Sequence, residues 1–380
     1  MRLNSPWLHV ASQTLRRMTR RLECRICLAA AAALGFGCGS PQPAATTSPA
    51  PAAPTPAAGP ARAPAPVPAK ATTLALPGGG SDGVAMDYLL YNPRTNTVWV
   101  PAGNTGTVDV IDVATSQVSR IDGFATKEVE RRGVKRLIGP SAAALGDTGT
   151  VYIGNRGDSS VCAVDETKLI KGACATLDNS PDGIAYVART HEVWVTTPRD
   201  KSIRVLDGAT LAQKARIELE GGPEGFAADN TRGRFYTNLE DKDATLAIDL
   251  ATHQTVATWK PACGEEGPRG LRLADAEGIL LVACIGKLVS LDIAHDGAVV
   301  GSLDTGEGVD DFDYTAADHR VYVGAAKAAR LTVATLDAHG GLTQIAAVPT
   351  KDGARNGVVS RDGHVYLAHS KDSELVVVGP

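Results

Sequence analysis

A segment of some forty residues recurs seven times in this 380-residue chain, and few folds can be built from such a unit. The clearest copy is residues 180–211. A Pro-Asp-Gly turn opens it, residues 184–187 form an apolar run, and residues 190–192 make a polar turn. Two further runs follow at 193–195 and 203–206, and Asp207-Gly208 stops the second. Short β-branched and aromatic runs between turn residues read as strands joined in hairpins. The aromatic position of the second strand recurs as Trp99, Tyr152, Trp194, Tyr236, Leu281, Tyr322 and Tyr366, spaced 53, 42, 42, 45, 41 and 44 residues apart. An aspartate after the third strand recurs as Asp112, Asp165, Asp207, Asp249, Asp292 and Asp337. Four short strands per period in the forties specify a propeller blade. The expected fold is all-β, a seven-bladed β-propeller.

The blade openings read GSDGVA (80–85), GPSAAA (139–144), SPDGIA (180–185), GPEGFA (222–227), GPRGLR (267–272), GVDDFD (308–313) and ARNGVV (354–359). The last blade has sequence for only three strands, ending at residues 374–378, whereas residues 72–76 (TTLAL) form an unassigned strand before the first. Pairing the two closes the ring and removes two exposed sheet edges. The propeller is therefore expected to span residues 71–380.

What precedes it reads differently. Residues 1–37 hold paired arginines and then a short apolar run, ICLAAAAALGF, as an export signal does. Met18 is a plausible start for that signal, and Cys38 after a small residue resembles the cleavage and lipidation site of a bacterial lipoprotein. Residues 41–70 are Ala or Pro at 21 of 30 positions, so the 38–70 segment is expected to be an extended tether. Residues 1–37 carry six Arg and one Glu, which leaves 32 basic against 41 acidic residues, a net charge of -9, in the remainder. An acidic body is a poor nucleic-acid or anionic-membrane binder. The expected location is the bacterial cell envelope, with membrane contact only through an N-terminal lipid and the propeller itself monomeric.

Strand pairs such as VWVPAGNTGTVDVIDVAT (98–115), VYIGNRGDSSVCAVD (151–165) and VWVTTPRDKSIRVLDGAT (193–210) resemble the YVTN-type repeat family of seven-bladed surface and periplasmic propellers. The resemblance covers roughly residues 72–380 and implies the fold. Function does not follow from it, because such repeats serve binding proteins and lactonase-like enzymes alike.

Of seven cysteines, Cys24 and Cys27 fall in the signal and Cys38 at its end. Four remain, an even number suited to disulfides in an exported chain. Cys162–Cys174 and Cys263–Cys284 are the expected pairs, each within one blade.

In a propeller the loops before each innermost strand, and those joining second to third strands, crowd one face around the channel. The openings place Asp82, Ser141, Asp182, Glu224, Arg269, Asp310 and Asn356 there as a polar ring. Oxygen ligands of this kind suit Ca²⁺ or another divalent cation, with Asp182, Glu224 and Asp310 the candidate ligands. A metal so held could polarise a lactone or ester carbonyl, as gluconolactonase-like propellers do. The second-to-third-strand loops add a collar: Asn104, Asn155, Arg156, Arg199, Asn238 and His369. Among the histidines beyond the signal, only His369 is expected to reach this face. The insertion FATKEVERRGVKRLIG (124–139) breaks the regular spacing and brings Arg131, Arg132, Lys135 and Arg136 as a basic flap over the polar face. The leading reading is a non-catalytic scaffold that binds a protein, a peptide or a small polar ligand through this face. The competing reading is a metal-dependent lactone or ester hydrolase, and a redox partner subunit is a third.

Overall fold

The computed structural model describes residues 67–131, 133–147 and 149–380, which belong to the compact unit Pro60–Pro380. The expected signal (1–37), the expected lipidation site Cys38 and all but the end of the expected tether lie outside the described residues. Seven antiparallel four-stranded sheets follow one another along the chain, with one extra two-stranded ribbon. Each blade runs outward from an innermost strand: Leu90–Asn92, Pro140–Leu145, Ile184–Val187, Pro223–Asp229, Leu271–Ala274, Asp313–Thr315 or Arg355–Val359. Contacts between neighbouring innermost strands close the circle, as where the backbone N–H of Gly225 donates to Arg269 O and that of Gly270 to Asp310 O.

The recurring aromatic position explains itself. Trp99, Tyr152, Trp194, Tyr236, Leu281, Tyr322 and Tyr366 are all buried in the second strands, where they pack against the next blade. Trp194, for example, stacks on Phe235 with ring centroids 4.7 Å apart. The recurring aspartate is a staple. Asp207 accepts the N–H groups of Ala209 and Thr210 and the Thr210 hydroxyl, and Asp112, Asp165, Asp249 and Asp337 repeat the pattern. An Asx-turn of this type frees the hairpin from needing glycine. Four residues on, Ser116, Leu169, Leu211, His253 and Asp296 accordingly take a positive φ of 53–60°.

The Pro-x-Gly openings are not turns of the glycine type. Gly183, Gly225 and Gly270 sit at the head of innermost strands without positive φ. Glycine is required there for room: a Cβ on Gly225 would stand 2.2 Å from Arg269 O and 2.6 Å from the backbone of Gly270.

Ring closure follows the sequence reading. Lys70–Ala75 pairs antiparallel with Glu374–Gly379, with Thr72 opposite Val377, as the outermost strand of blade seven. Deleting residues 70–75 is expected to expose Glu374–Gly379 as an edge and to cost about 2–4 kcal/mol in lost ladder bonds and burial. Thermal melts and size-exclusion chromatography check this: an unchanged melting temperature and elution volume would contradict it.

Both disulfides are formed, Cys162–Cys174 between directly opposed residues of adjacent strands and Cys263–Cys284 across the start of blade five. The 124–139 insertion is the extra ribbon, Lys127–Arg131 paired with Val134–Ile138. Its base is wedged over the second-to-third-strand turns of blades one and two: a Cβ on Gly157 would meet Ala125 O at 2.0 Å, and one on Gly106 would meet Phe124 O at 2.7 Å. Lys135 pairs with Glu128 at 2.9 Å on the exposed ribbon, and Arg136 is also exposed. Arg131 ends its first strand, and Arg132 lies outside the described residues.

Candidate functional site

Backbone pairing decides which residue of each blade faces the channel. The N–H of Gly103, Arg156, Glu240 and Ala326 donates to Ala85, Gly139, Gly222 and Gly308 O in turn. Two residues after each of these carbonyls stand Asp87, Ser141, Glu224 and Asp310. Blade one therefore contributes Asp87 to the ring in place of Asp82. Asp82 ends the 3-10 turn Gly80–Asp82, is exposed and, among the described residues, accepts a hydrogen bond from the Ser81 hydroxyl. The resemblance of GSDG to SPDG was misleading, because blade one spends extra residues before its innermost strand. The interval to the second-strand aromatic shows the true position: 12 residues separate Asp182 from Trp194 and Glu224 from Tyr236, and 12 separate Asp87 from Trp99.

The ring is held by arginines. A single nitrogen of Arg156, Nη2, lies 2.7 Å from Asp87 Oδ2 and also contacts Asp182 Oδ1. Asn356, buried and at φ 53°, donates from Nδ2 to Asp87 Oδ1 (3.2 Å) and Asp310 Oδ2 (3.1 Å) and accepts the Asp311 N–H (3.0 Å). Arg355 Nη1 closes on Asp310 Oδ2 at 2.9 Å. Arg269 turns to the rim and pairs with Glu240 at 2.7 Å. Ser141 is buried, its Oγ has no hydrogen-bond partner among the described residues, and its carbonyl accepts the Tyr88 N–H. Tyr88 crosses the channel from blade one to blade four, its hydroxyl 3.4 Å from Glu224 Oε1 and its ring 5.8 Å from that of Phe226.

Among the candidate metal ligands, Asp182 is taken by Arg156, Asp310 by Arg355 and Asn356, and Glu224 by Tyr88. His369, Asp372 and Glu374 are the group whose donor atoms come within 4.8 Å of one another among the described residues. Lys351 already reaches Glu374 (2.5 Å) and Asp372 (3.5 Å) there, and supplies the positive charge.

The collar separates into structural and free members. Asn104 bonds Gly83 O and the Ala85 N–H, Asn155 bonds Asp158 and the Gly157 N–H, and Asn238 bonds Arg269 O and Thr245. Each fixes a turn or a blade junction. His369 is buried between Glu374 and the Asp352 carbonyl and does not reach the ring. Arg156 joins the ring, and Arg199 is exposed in the turn Pro198–Asp200.

Carboxylates crowded into a channel of low dielectric hold their protons more tightly than in water. Burial, opposed by Arg156 and reinforced by Asp182 and Asp310, raises Asp87 from 3.8 to about 6. Burial and the surrounding acids push Glu224 well above its ordinary range, and burial raises Asp182 as well. A carboxyl raised on folding favours the folded state below its unfolded pKa, and that advantage is lost as pH rises through the folded value. For Asp87 the window is pH 4 to 6, and the loss is about 2–3 kcal/mol. The hairpin aspartates are lowered instead, so they act below this window. The melting temperature is therefore expected to fall between pH 5 and pH 7.5, and Asp87→Asn to flatten that slope. A slope unchanged in the variant would remove Asp87 from this role.

Comparison with known proteins agrees with the fold and goes no further. No protein-family model matches the chain, and no curated protein does. Solved structures do. The chain is similar to one from a mitotic checkpoint complex (TM-score 0.65, 14% identity, 85% of this chain and 98% of that one). It is similar to U3-55K (TM-score 0.66, 10% identity, 82% and 100%). It is also similar to virginiamycin B lyase from Staphylococcus aureus (TM-score 0.63, 14% identity, 81% and 99%). At such identities the likeness is one of architecture, and architecture does not give function.

Proposed function

We propose that this protein is an exported, envelope-anchored binding scaffold whose ring face engages a basic segment of a protein partner, without catalysis of its own. The observation that carries the reading is the charge count at the channel mouth. Among the described residues, Asp87, Asp182, Glu240 and Asp310 form their ion pairs with Arg156, Arg269 and Arg355, four acids to three bases, and Glu224, which holds its proton more tightly, bonds Tyr88. Their side chains are partly open to water along the axis, with Asp87 at 23%, Asp310 at 21% and Glu240 at 39% exposure. An acid-rich mouth with low-dielectric walls concentrates its field outward and draws in a lysine or arginine side chain. Two disulfides fit an oxidising compartment, and the N-terminal sequence supports export and a lipid anchor.

Photoreactive side chains placed in the full chain at Arg199 and Lys242 on the ring face, and at Asp147 on the opposite face, test this in the native envelope. Crosslinks from the ring face to lysine- or arginine-rich segments are expected. Crosslinks confined to Asp147 would overturn the reading. Stabilisation by Ca²⁺ that disappears in Glu224→Gln would favour the metal-dependent hydrolase instead.

A further inference from the structure

Below Tyr88 the channel changes character. From the first-hairpin face it opens as a cavity of about 530 Å³, within the range of small-molecule sites. Leu89, Ala143, Ile184, Phe226 and Val358 give it apolar walls. Tyr91, Tyr186 and Tyr314 also line it, and their hydroxyls are engaged with Asn96, Asp147 and Glu277, which leaves the rings to the cavity.

Three charged residues line this space: Arg272, Asp311 and Asp313. Arg272 grips Asp311 through both nitrogens, Nη1 at 3.0 Å and Nη2 at 2.8 Å. Asp313 stands 3.6 Å from Arg272 Nε and otherwise accepts the backbone N–H groups of Tyr314 and Val359. Two carboxyl groups share one guanidinium, one acid in excess, in an aromatic, apolar funnel where burial raises both acids and Arg272 opposes the rise. Asp313 keeps 22% of its side chain exposed and has lone pairs to spare.

We propose that this funnel is a binding site for a small organic cation, an amine with an apolar or aromatic body. Its ammonium group would face Asp313, and its body would lie along Ile184, Phe226 and Val358 beneath Tyr88. Ring faces attract a cation and apolar walls strengthen the charge pairing, so a neutral ligand of equal shape gains less and an anion is repelled. The site lies across Tyr88 from the ring and does not depend on the basic-partner reading.

Calorimetric titration of the full chain at pH 7.5 with 2-phenylethylamine, 2-phenylethanol and 3-phenylpropanoate tests the proposal. The amine is expected to bind about tenfold or more tightly than either of the others. Asp313→Asn should remove most of that preference. Ala185→Leu, which fills the funnel and leaves every charged group in place, should abolish binding and decides the matter if the Asn variant melts early. Asp182→Asn, on the ring side, should leave amine affinity unchanged. Equal binding of all three probes, no amine binding, amine binding indifferent to both funnel variants, or loss of binding in Asp182→Asn would each overturn the proposal.

Discussion

Arg156→Ala is expected to lower stability at pH 7.5 by about 3 kcal/mol, the cost typical of stripping the partner from buried charge. Arg156 Nη2 is the cation between Asp87 and Asp182, and without it Asp87, Asp182, Glu224 and Asp310 face one another across the channel. The penalty should shrink by half or more at pH 5, where these acids take up protons, because a neutral carboxyl does not require the guanidinium. One nitrogen serves both carboxylates, so a lysine ammonium can take its place, and Arg156→Lys should keep most of the stability. Melting curves of the three proteins at pH 5 and 7.5 decide. A loss in Arg156→Ala that is equal at both pH values would mean that Arg156 acts by packing and that the ring is not held by charge.

Gly225→Ala should be at least as damaging, at about 3 kcal/mol or more, although it adds one methyl group. The new Cβ would collide with Arg269 O and the Gly270 backbone, and backbone cannot swing aside as a long side chain can. Blades four and five would have to part at their innermost strands, which strains a close-packed core. Gly286→Ala provides the contrast. Its Cβ would find its nearest neighbour, Glu307 Cγ, at 4.0 Å, so the change should be neutral or slightly stabilising. Denaturant melts of the two variants check the pair, and equal midpoints would refute the close-approach explanation of the Pro-x-Gly openings.

These residues show what a sequence of this kind discloses. Period-two strands, a recurring aromatic and a recurring turn aspartate are local signals, and each maps onto a local physical need: burial against the next blade, or an Asx staple. The architecture, the closing strand and both disulfides were therefore legible. The ring was legible at Asp182, Glu224 and Asp310, each 12 residues before its second-strand aromatic, and at Ser141 and Asn356 from the blade-opening letters, 11 and 10 residues before theirs. It was misread at Asp82, where the pattern of letters was followed instead of the 12-residue interval that points to Asp87. The roles of Asn104, Asn155, Asn238 and His369 were hidden for a different reason. A polar residue in a channel-side loop can face the ligand or repair its own backbone, and composition does not distinguish the two. Tyr88 and Arg272 carried no periodic signal at all. Their importance arises from partners contributed by other blades, Glu224 for one and Asp311 with Asp313 for the other.

The channel thus has two ends of different chemistry, divided by one tyrosine: an acid-rich ring open to one face and an apolar funnel open to the other. The central claim concerns the ring, and charge-selective binding tests it most directly. The full chain should be titrated with a lysine-rich decapeptide and with its glutamate-rich counterpart, at about 20 and 300 mM salt, two conditions that differ strongly in screening. The lysine peptide is expected to bind, to weaken severalfold at the higher salt, and to be lost in the double variant Asp182→Asn/Glu240→Gln. Equal binding of the glutamate peptide, or lysine-peptide binding that neither salt nor the double variant weakens, would contradict the account.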